Sequence, residues 1–111
     1  MTNEKTRIAT DIETDLFYKI LKFLKENGWK LTAEYDPEIF DKAIDFDLYE
    51  LTKGEASVLM VWDIWFGGEI RTQEAVFEEL SVVLPCEFSF GKPEHFHKDN
   101  LLQKSPLVVR Y

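Results

Sequence analysis

The chain has 111 residues, of which 45% are hydrophobic and 14% aromatic, a composition that supports one folded domain and excludes a disordered chain. Its 21 acidic and 13 basic residues give a formal net charge of −8. Such a surface repels nucleic-acid phosphates and anionic lipids and attracts basic proteins, although many cytosolic proteins are acidic for solubility alone.

Features that report on cellular location favour the cytoplasm. Cys86 is the single cysteine, so no disulfide can form within the chain, which fits a reducing compartment. The first residues are polar and lack the apolar segment of a signal peptide, and no stretch approaches the ~18 apolar residues of a membrane span. We expect a cytoplasmic protein that uses no membrane, with Cys86 as a small buried hydrophobic residue.

The first predicted element is a helix that follows a polar, flexible segment of residues 1–9. The sequence Thr10-Asp11-Ile12-Glu13 matches a capping box, which predicts that the helix begins there. Apolar residues recur at helical spacing from Ile12 to Leu24. Gly28 then supplies the C-terminal stop.

Two strands are predicted next from alternating apolar and polar residues. The first covers residues 29–35 and ends at Asp36-Pro37, after which residues 37–43 are predicted to form one short helical turn. The second begins at Ile44. Its core-facing residues are Ile44, Phe46 and Leu48, and its other face carries Asp45, Asp47 and Tyr49.

Residues 58–66 are apolar on both faces, which predicts a central strand interrupted only by Asp63. A three-residue loop, Lys53-Gly54-Glu55, would pair Phe46 with Trp62 and place Asp45 opposite Asp63. A two-residue loop, Lys53-Gly54, would shift the register by one residue. The apolar match favours the longer loop, and both registers stay open.

The remaining elements are a second helix and two short strands. Gly67-Gly68 is predicted to be a turn and lacks the pattern of a phosphate-binding loop. Thr72 is expected to cap the helix and Pro85 to end it. The inward-facing residues of this helix are predicted to be Val76, Phe77, Leu80 and Val83. Residues 86–90 and 107–111 are predicted strands, and residues 91–100 are a predicted polar loop between them.

These elements predict a single α+β domain spanning residues 1–111. Two helices would pack on a mostly antiparallel sheet of about four to five strands, because a two-layer domain must cover one whole face of its sheet. The sequence contains no repeat, low-complexity tract or interdomain linker.

Two groups of side chains could support chemistry. The first is His95-Phe96-His97, with Glu94 and Asp99 nearby, because alternating histidines on a strand can bind one metal. The motif lies in a polar loop, and Cys86 is outside zinc-finger spacing. We therefore expect exposed histidines and no metal.

The second group comprises the carboxylates Asp45, Asp47, Asp63 and Glu69, which could serve acid–base chemistry or cation binding. No EF-hand spacing and no neighbouring Ser-His or Cys-His arrangement accompanies them. We expect no enzymatic activity and no cofactor. A small enzyme or metal- or ligand-binding domain remains the first alternative, and a homo-oligomeric structural protein the second.

The favoured interpretation is protein recognition. The predicted partner-binding patch consists of Asp45, Asp47, Tyr49, Asp63 and Trp65. Tyrosine and tryptophan are enriched among interface hot spots, and carboxylates steer a basic partner. In the competing interpretation Trp65 packs beneath the second helix. The protein itself is expected to be a monomer or homodimer.

The segment VWDIWFGGEI, residues 61–70, within a small acidic α+β chain resembles immunity proteins of bacterial contact-dependent growth inhibition and related polymorphic toxin systems. The resemblance covers ten residues. It implies a cytosolic inhibitor that occludes the active site of one cognate toxin domain, often a nuclease. These proteins vary greatly in sequence and fold, so the resemblance transfers no residue role.

Overall fold

Six antiparallel strands and two helices form the part of the chain that a computed structural model describes, namely residues 6–35, 46–63, 67–84, 86–92 and 108–111. In chain order the elements are β1 Thr6–Ile12, α1 Thr14–Glu26, β2 Lys30–Tyr35, β3 Phe46–Lys53, β4 Ala56–Asp63, β5 Gly67–Gln73, α2 Glu74–Val83 and β6 Val108–Arg110. The spatial order of the strands is β1-β5-β4-β3-β2-β6. The predicted α+β class is confirmed, with more strands than expected.

The structure of the N-terminal segment shows that the prediction for residues 1–9 and for the start of the first helix is wrong. Residues 1–9 were expected to be flexible, but Thr6–Ile12 forms the edge strand β1 and pairs with β5; residues 1–5 lie outside the described residues. Thr10 is buried within β1, and its N–H donates to the Ser89 carbonyl at 2.7 Å. It therefore does not cap a helix. The pairing with β5 is a long-range contact that local sequence does not signal.

Helix α1 begins at Thr14, with Glu13 as its N-cap residue and no capping hydrogen bond from the Glu13 side chain. Its buried face consists of Phe17, Ile20, Leu21 and Leu24. The predicted stop is confirmed: Gly28 has a φ of +92°, and the N–H of Trp29 donates to the Leu24 carbonyl at 3.0 Å. This six-to-one hydrogen bond is typical of a Schellman motif.

We expect Glu13→Asp to stabilise the protein by about 0.5–1 kcal/mol, because the shorter carboxylate can accept a hydrogen bond from the first-turn N–H groups. Urea unfolding would measure the change in the free energy of unfolding. Glu13→Gln is the control, since it alters charge without shortening the side chain. An equal gain in both variants would contradict the capping explanation.

The central strand β4 is buried on both faces, as predicted. Val58 and Met60 contact the helix-side core, whereas Leu59 and Val61 lie on the opposite face of the sheet. The predicted continuation through residues 64–66 lies outside the described residues. The helix-side core consists mainly of Ala9, Ile12, Phe17, Ile20, Leu21, Leu24, Trp29, Leu51, Val58, Met60, Ile70, Val76, Phe77 and Leu80.

The β3–β4 hairpin has neither predicted register. Gly54 and Glu55 form a two-residue turn between the paired residues Lys53 and Ala56, so the favoured three-residue loop is wrong. Gly54 has a φ of +62°, which a type II′ turn requires at its first central position. Strand pairing therefore places Asp47, and not Phe46, opposite Trp62.

Gly67-Gly68 is not a turn, because both residues belong to strand β5. Thr72 lies in the same strand, and Gln73 is the N-cap residue of α2. A Cβ atom on Gly68 would lie 2.5 Å from Cδ1 of Phe17, so the missing side chain lets α1 approach the sheet. The glycine pair therefore serves helix–sheet packing.

Helix α2 buries Val76, Phe77 and Leu80 as predicted. Val83 was expected to face inward but is 50% exposed, because the helix ends at this residue. Pro85 lies outside the described residues. The predicted strand at residues 86–90 is reduced to an isolated bridge between Ser89 and Thr10.

The predicted C-terminal strand is confirmed as β6, which pairs with β2. The predicted helical turn at residues 37–43 and residues 93–100 of the predicted polar loop lie outside the described residues. Neither described helix has the length and apolar character needed to cross a membrane.

We expect Gly68→Ala to lower the free energy of unfolding by about 1–3 kcal/mol, because the added methyl group overlaps the Phe17 ring. The cost should shrink in a Phe17→Leu background, where the ring is absent. Urea unfolding of the four members of this double-mutant cycle measures the coupling. An undiminished cost in the Phe17→Leu background would show that another contact is responsible.

Candidate functional site

The predicted partner-binding residues do not share one face of the sheet. Asp47 and Tyr49 lie on the helix side of β3, since Tyr49 packs against the helix-side core and alternate residues share a face. Asp63 lies on β4 opposite Phe46 and points to the other side. Asp45 and Trp65 lie outside the described residues.

This arrangement corrects the prediction of a single polar sheet face. The two faces of β3 are the reverse of those expected: Leu48 is buried on the side away from the helices, and Tyr49 packs toward the helices. Whether these residues bind a partner stays a prediction. Glu69, the other carboxylate considered above, is 1% exposed in β5 and pairs with Val61 across the sheet.

Four side chains meet where β3 and β4 pass beneath the first turns of α1, and we call them the acidic aromatic cluster: Tyr18, Asp47, Tyr49 and Trp62. Each is half-buried. The Tyr18 hydroxyl donates a hydrogen bond to Oδ2 of Asp47. The rings of Tyr18 and Trp62 lie 6.3 Å apart between centroids.

Hydrogen bonds hold the aromatic rings of the cluster in place. Nε1 of Trp62 donates to Oγ1 of Thr14 at 3.1 Å, which connects the strand to the start of α1. Tyr18 sits on the next helical turn, four residues after Thr14, and reaches Asp47 on the neighbouring strand. The Tyr18 and Trp62 rings are therefore held by contacts within the protein itself.

The electrostatics of the cluster keep both tyrosines protonated. Burial, together with the negative charges of Asp47 and Glu34, raises the pKa of Tyr49 to about 12. Burial and the hydrogen bond to Asp47 raise the pKa of Tyr18 further above its ordinary value. Near neutral pH both phenols therefore remain hydrogen-bonding groups and are poor candidates for general bases.

We expect the stability of the protein to fall as the pH rises from about 10 toward 12. Both tyrosines have a higher pKa in the folded protein than the ordinary value of 10.0, so the unfolded chain loses their protons first and is favoured at high pH. This contribution is fully present below pH ~10.

Urea unfolding midpoints measured at intervals above pH 8 would test this expectation. The double variant Tyr18→Phe/Tyr49→Phe cannot ionise at these positions and should lose less stability over the same pH range. An identical decline in the two proteins would show that other groups cause it.

A second surface lies at the other edge of the helix side and was missed by sequence reasoning. An open groove of about 360 Å³ is bordered by β1, α2 and residues 86–90. Its lining residues are Arg7, Glu74, Phe77, Glu78, Ser81, Cys86, Glu87, Phe88 and Phe90. The signal that could have found it is the spacing of Glu74, Phe77, Glu78 and Ser81, which places them on one face of α2.

The described residues offer little support for metal or thiol chemistry. No group of three or more His, Cys, Asp or Glu side chains among them could hold a metal ion, and His95 and His97 lie outside them. Cys86 is half-buried, and burial raises the pKa of its thiol. A raised thiol pKa is the opposite of what a catalytic nucleophile needs.

Comparison with known proteins adds no functional assignment. No protein-family model, curated protein or solved structure matches this chain. The acidic aromatic cluster and the groove are therefore the features of the described residues that bear on function.

Proposed function

We propose that this protein is a cytoplasmic, non-enzymatic inhibitor that binds a basic protein, and that it is the immunity protein of a bacterial toxin system. The observation that carries the proposal is the acidic aromatic cluster, in which partly buried tyrosine and tryptophan rings lie near a carboxylate, with Tyr18 and Trp62 held by internal hydrogen bonds. The resemblance of residues 61–70 to immunity proteins supports the more specific role.

The cluster has the composition of an interface hot spot. Tyrosine and tryptophan supply large contact areas with few rotatable bonds, and hot spots are enriched in both. Here Tyr18 and Trp62 are already held by Asp47 and Thr14, which reduces the entropy lost on binding. A preorganised surface of this kind suits tight association with one partner.

The net charge of −8 indicates the chemistry of that partner. A nuclease that grips phosphate groups presents a basic cleft, and an acidic inhibitor is attracted to such a cleft over distances of about 10 Å at 0.1 M salt. In the proposed mechanism, long-range attraction brings the proteins together. The cluster then docks over the basic cleft and blocks substrate, with no chemical step performed by the inhibitor.

The function is tested by coexpression with the toxin domain encoded beside the gene. Cells that express the toxin domain should survive in the presence of the intact inhibitor. The two purified proteins should associate more slowly as the salt concentration is raised. The proposed function would be contradicted if cells survived expression of the toxin domain without the inhibitor. It would also be contradicted if the inhibitor neither bound nor neutralised that domain.

We expect Asp47→Asn to weaken binding to that toxin domain about tenfold, because it removes the charge of the cluster. The amide oxygen can still accept the Tyr18 hydrogen bond, so the fold should be retained. Glu26→Gln is the matched control, since it removes one charge from an exposed position at the far end of α1. Surface plasmon resonance would measure both affinities, and equal effects would exclude the cluster as the contact site.

A further inference from the structure

The groove between β1, α2 and residues 86–90 already holds one arginine of the protein itself. The guanidinium carbon of Arg7 lies 3.8 Å from the centre of the Phe90 ring. Nη1 of the same side chain lies 3.5 Å from Oε1 of Glu74. The aromatic ring and the carboxylate together supply the two contacts that a guanidinium group prefers, stacking and charge pairing.

A similar pair of contacts is offered by the rest of the groove. Phe77 forms its floor, with its ring 5.1 Å from that of Phe88 and 5.2 Å from that of Phe90. Two further carboxylates, Glu78 and Glu87, line the same space and are exposed. The groove therefore contains, beside Arg7, the same residue types that Arg7 contacts, namely phenylalanine and glutamate.

The charges of the groove favour a cationic occupant. Glu74, Glu78 and Glu87 carry three negative charges, and Arg7 is the one cation among the described lining residues. The surplus of two negative charges remains after Arg7 is paired with Glu74. Since about 360 Å³ is open, the space can admit a side chain as large as arginine.

We propose that this groove binds an arginine side chain of the basic partner protein, with its guanidinium group stacked on Phe88 and paired with Glu78 and Glu87. The inference rests on the proposed function and adds a second contact to the acidic aromatic cluster. Arginine fits better than lysine, because a planar guanidinium stacks on a ring while its edge pairs with carboxylates. The occupied half of the groove shows this geometry with Arg7.

The test uses the whole protein and a defined probe, N-acetyl-arginine methylamide, titrated while amide chemical shifts are followed by NMR. Saturable shifts are expected at the groove amides. The citrulline analogue has nearly the same shape without the charge and should cause none. The lysine analogue should bind more weakly than the arginine probe, because it cannot stack as a plane.

Two variants make the assignment specific. Glu78→Gln/Glu87→Gln should weaken probe binding about fivefold or more, whereas Glu55→Gln/Glu79→Gln, which removes the same charge from exposed positions outside the groove, should have little effect. Arg7→Gln removes the resident cation. This variant should bind the probe severalfold more tightly, because the repulsion is lost and Glu74 and Phe90 become accessible.

The absence of saturable shifts, equal weakening in both double variants, or weaker binding by Arg7→Gln would overturn the assignment. None of these outcomes depends on the result of the coexpression experiment with the toxin domain. A neutralised toxin together with no probe binding would leave the proposed function standing and remove the groove from it. Specific probe binding with no toxin neutralised would establish the guanidinium site and reject the immunity role.

Discussion

The register of the β3–β4 hairpin is the constraint on which the other features depend. Because side chains alternate along a strand, a shift of one residue would exchange every side chain between the two faces of the sheet. The Gly54-Glu55 turn sets the observed register and brings Asp47 opposite Trp62. It thereby assembles the acidic aromatic cluster beneath α1 and places Asp63 on the other side.

Helix α1 completes the cluster only because it lies close to the sheet. The Phe17 ring occupies the space above Gly68, where a Cβ atom would lie 2.5 Å away. This close approach brings Thr14 and Tyr18 within hydrogen-bonding distance of Trp62 and Asp47. One small residue in β5 therefore supports the acidic aromatic cluster that α1 forms with β3 and β4.

The acidic charge of the chain is organised in two different ways. In the acidic aromatic cluster, Asp47 accepts a hydrogen bond from Tyr18 and orients its ring. In the groove, Glu78 and Glu87 are exposed beside a phenylalanine floor and a resident arginine. The first arrangement favours a rigid contact surface, and the second favours capture of a cationic side chain. Both are consistent with the basic protein partner proposed above.

Sequence by itself determined the elements whose signals are local. The amphipathic stripe and glycine stop gave α1, the apolar run gave the central strand β4, and β-branched residues gave β6, so the α+β class followed. Tertiary structure alone decided the strand β1, the role of Gly68 and the side of the sheet occupied by Asp47 and Tyr49. The physical reason is that strand pairing, the distance between helix and sheet, and the hairpin register depend on contacts between residues far apart in the chain. A local sequence pattern cannot predict such contacts.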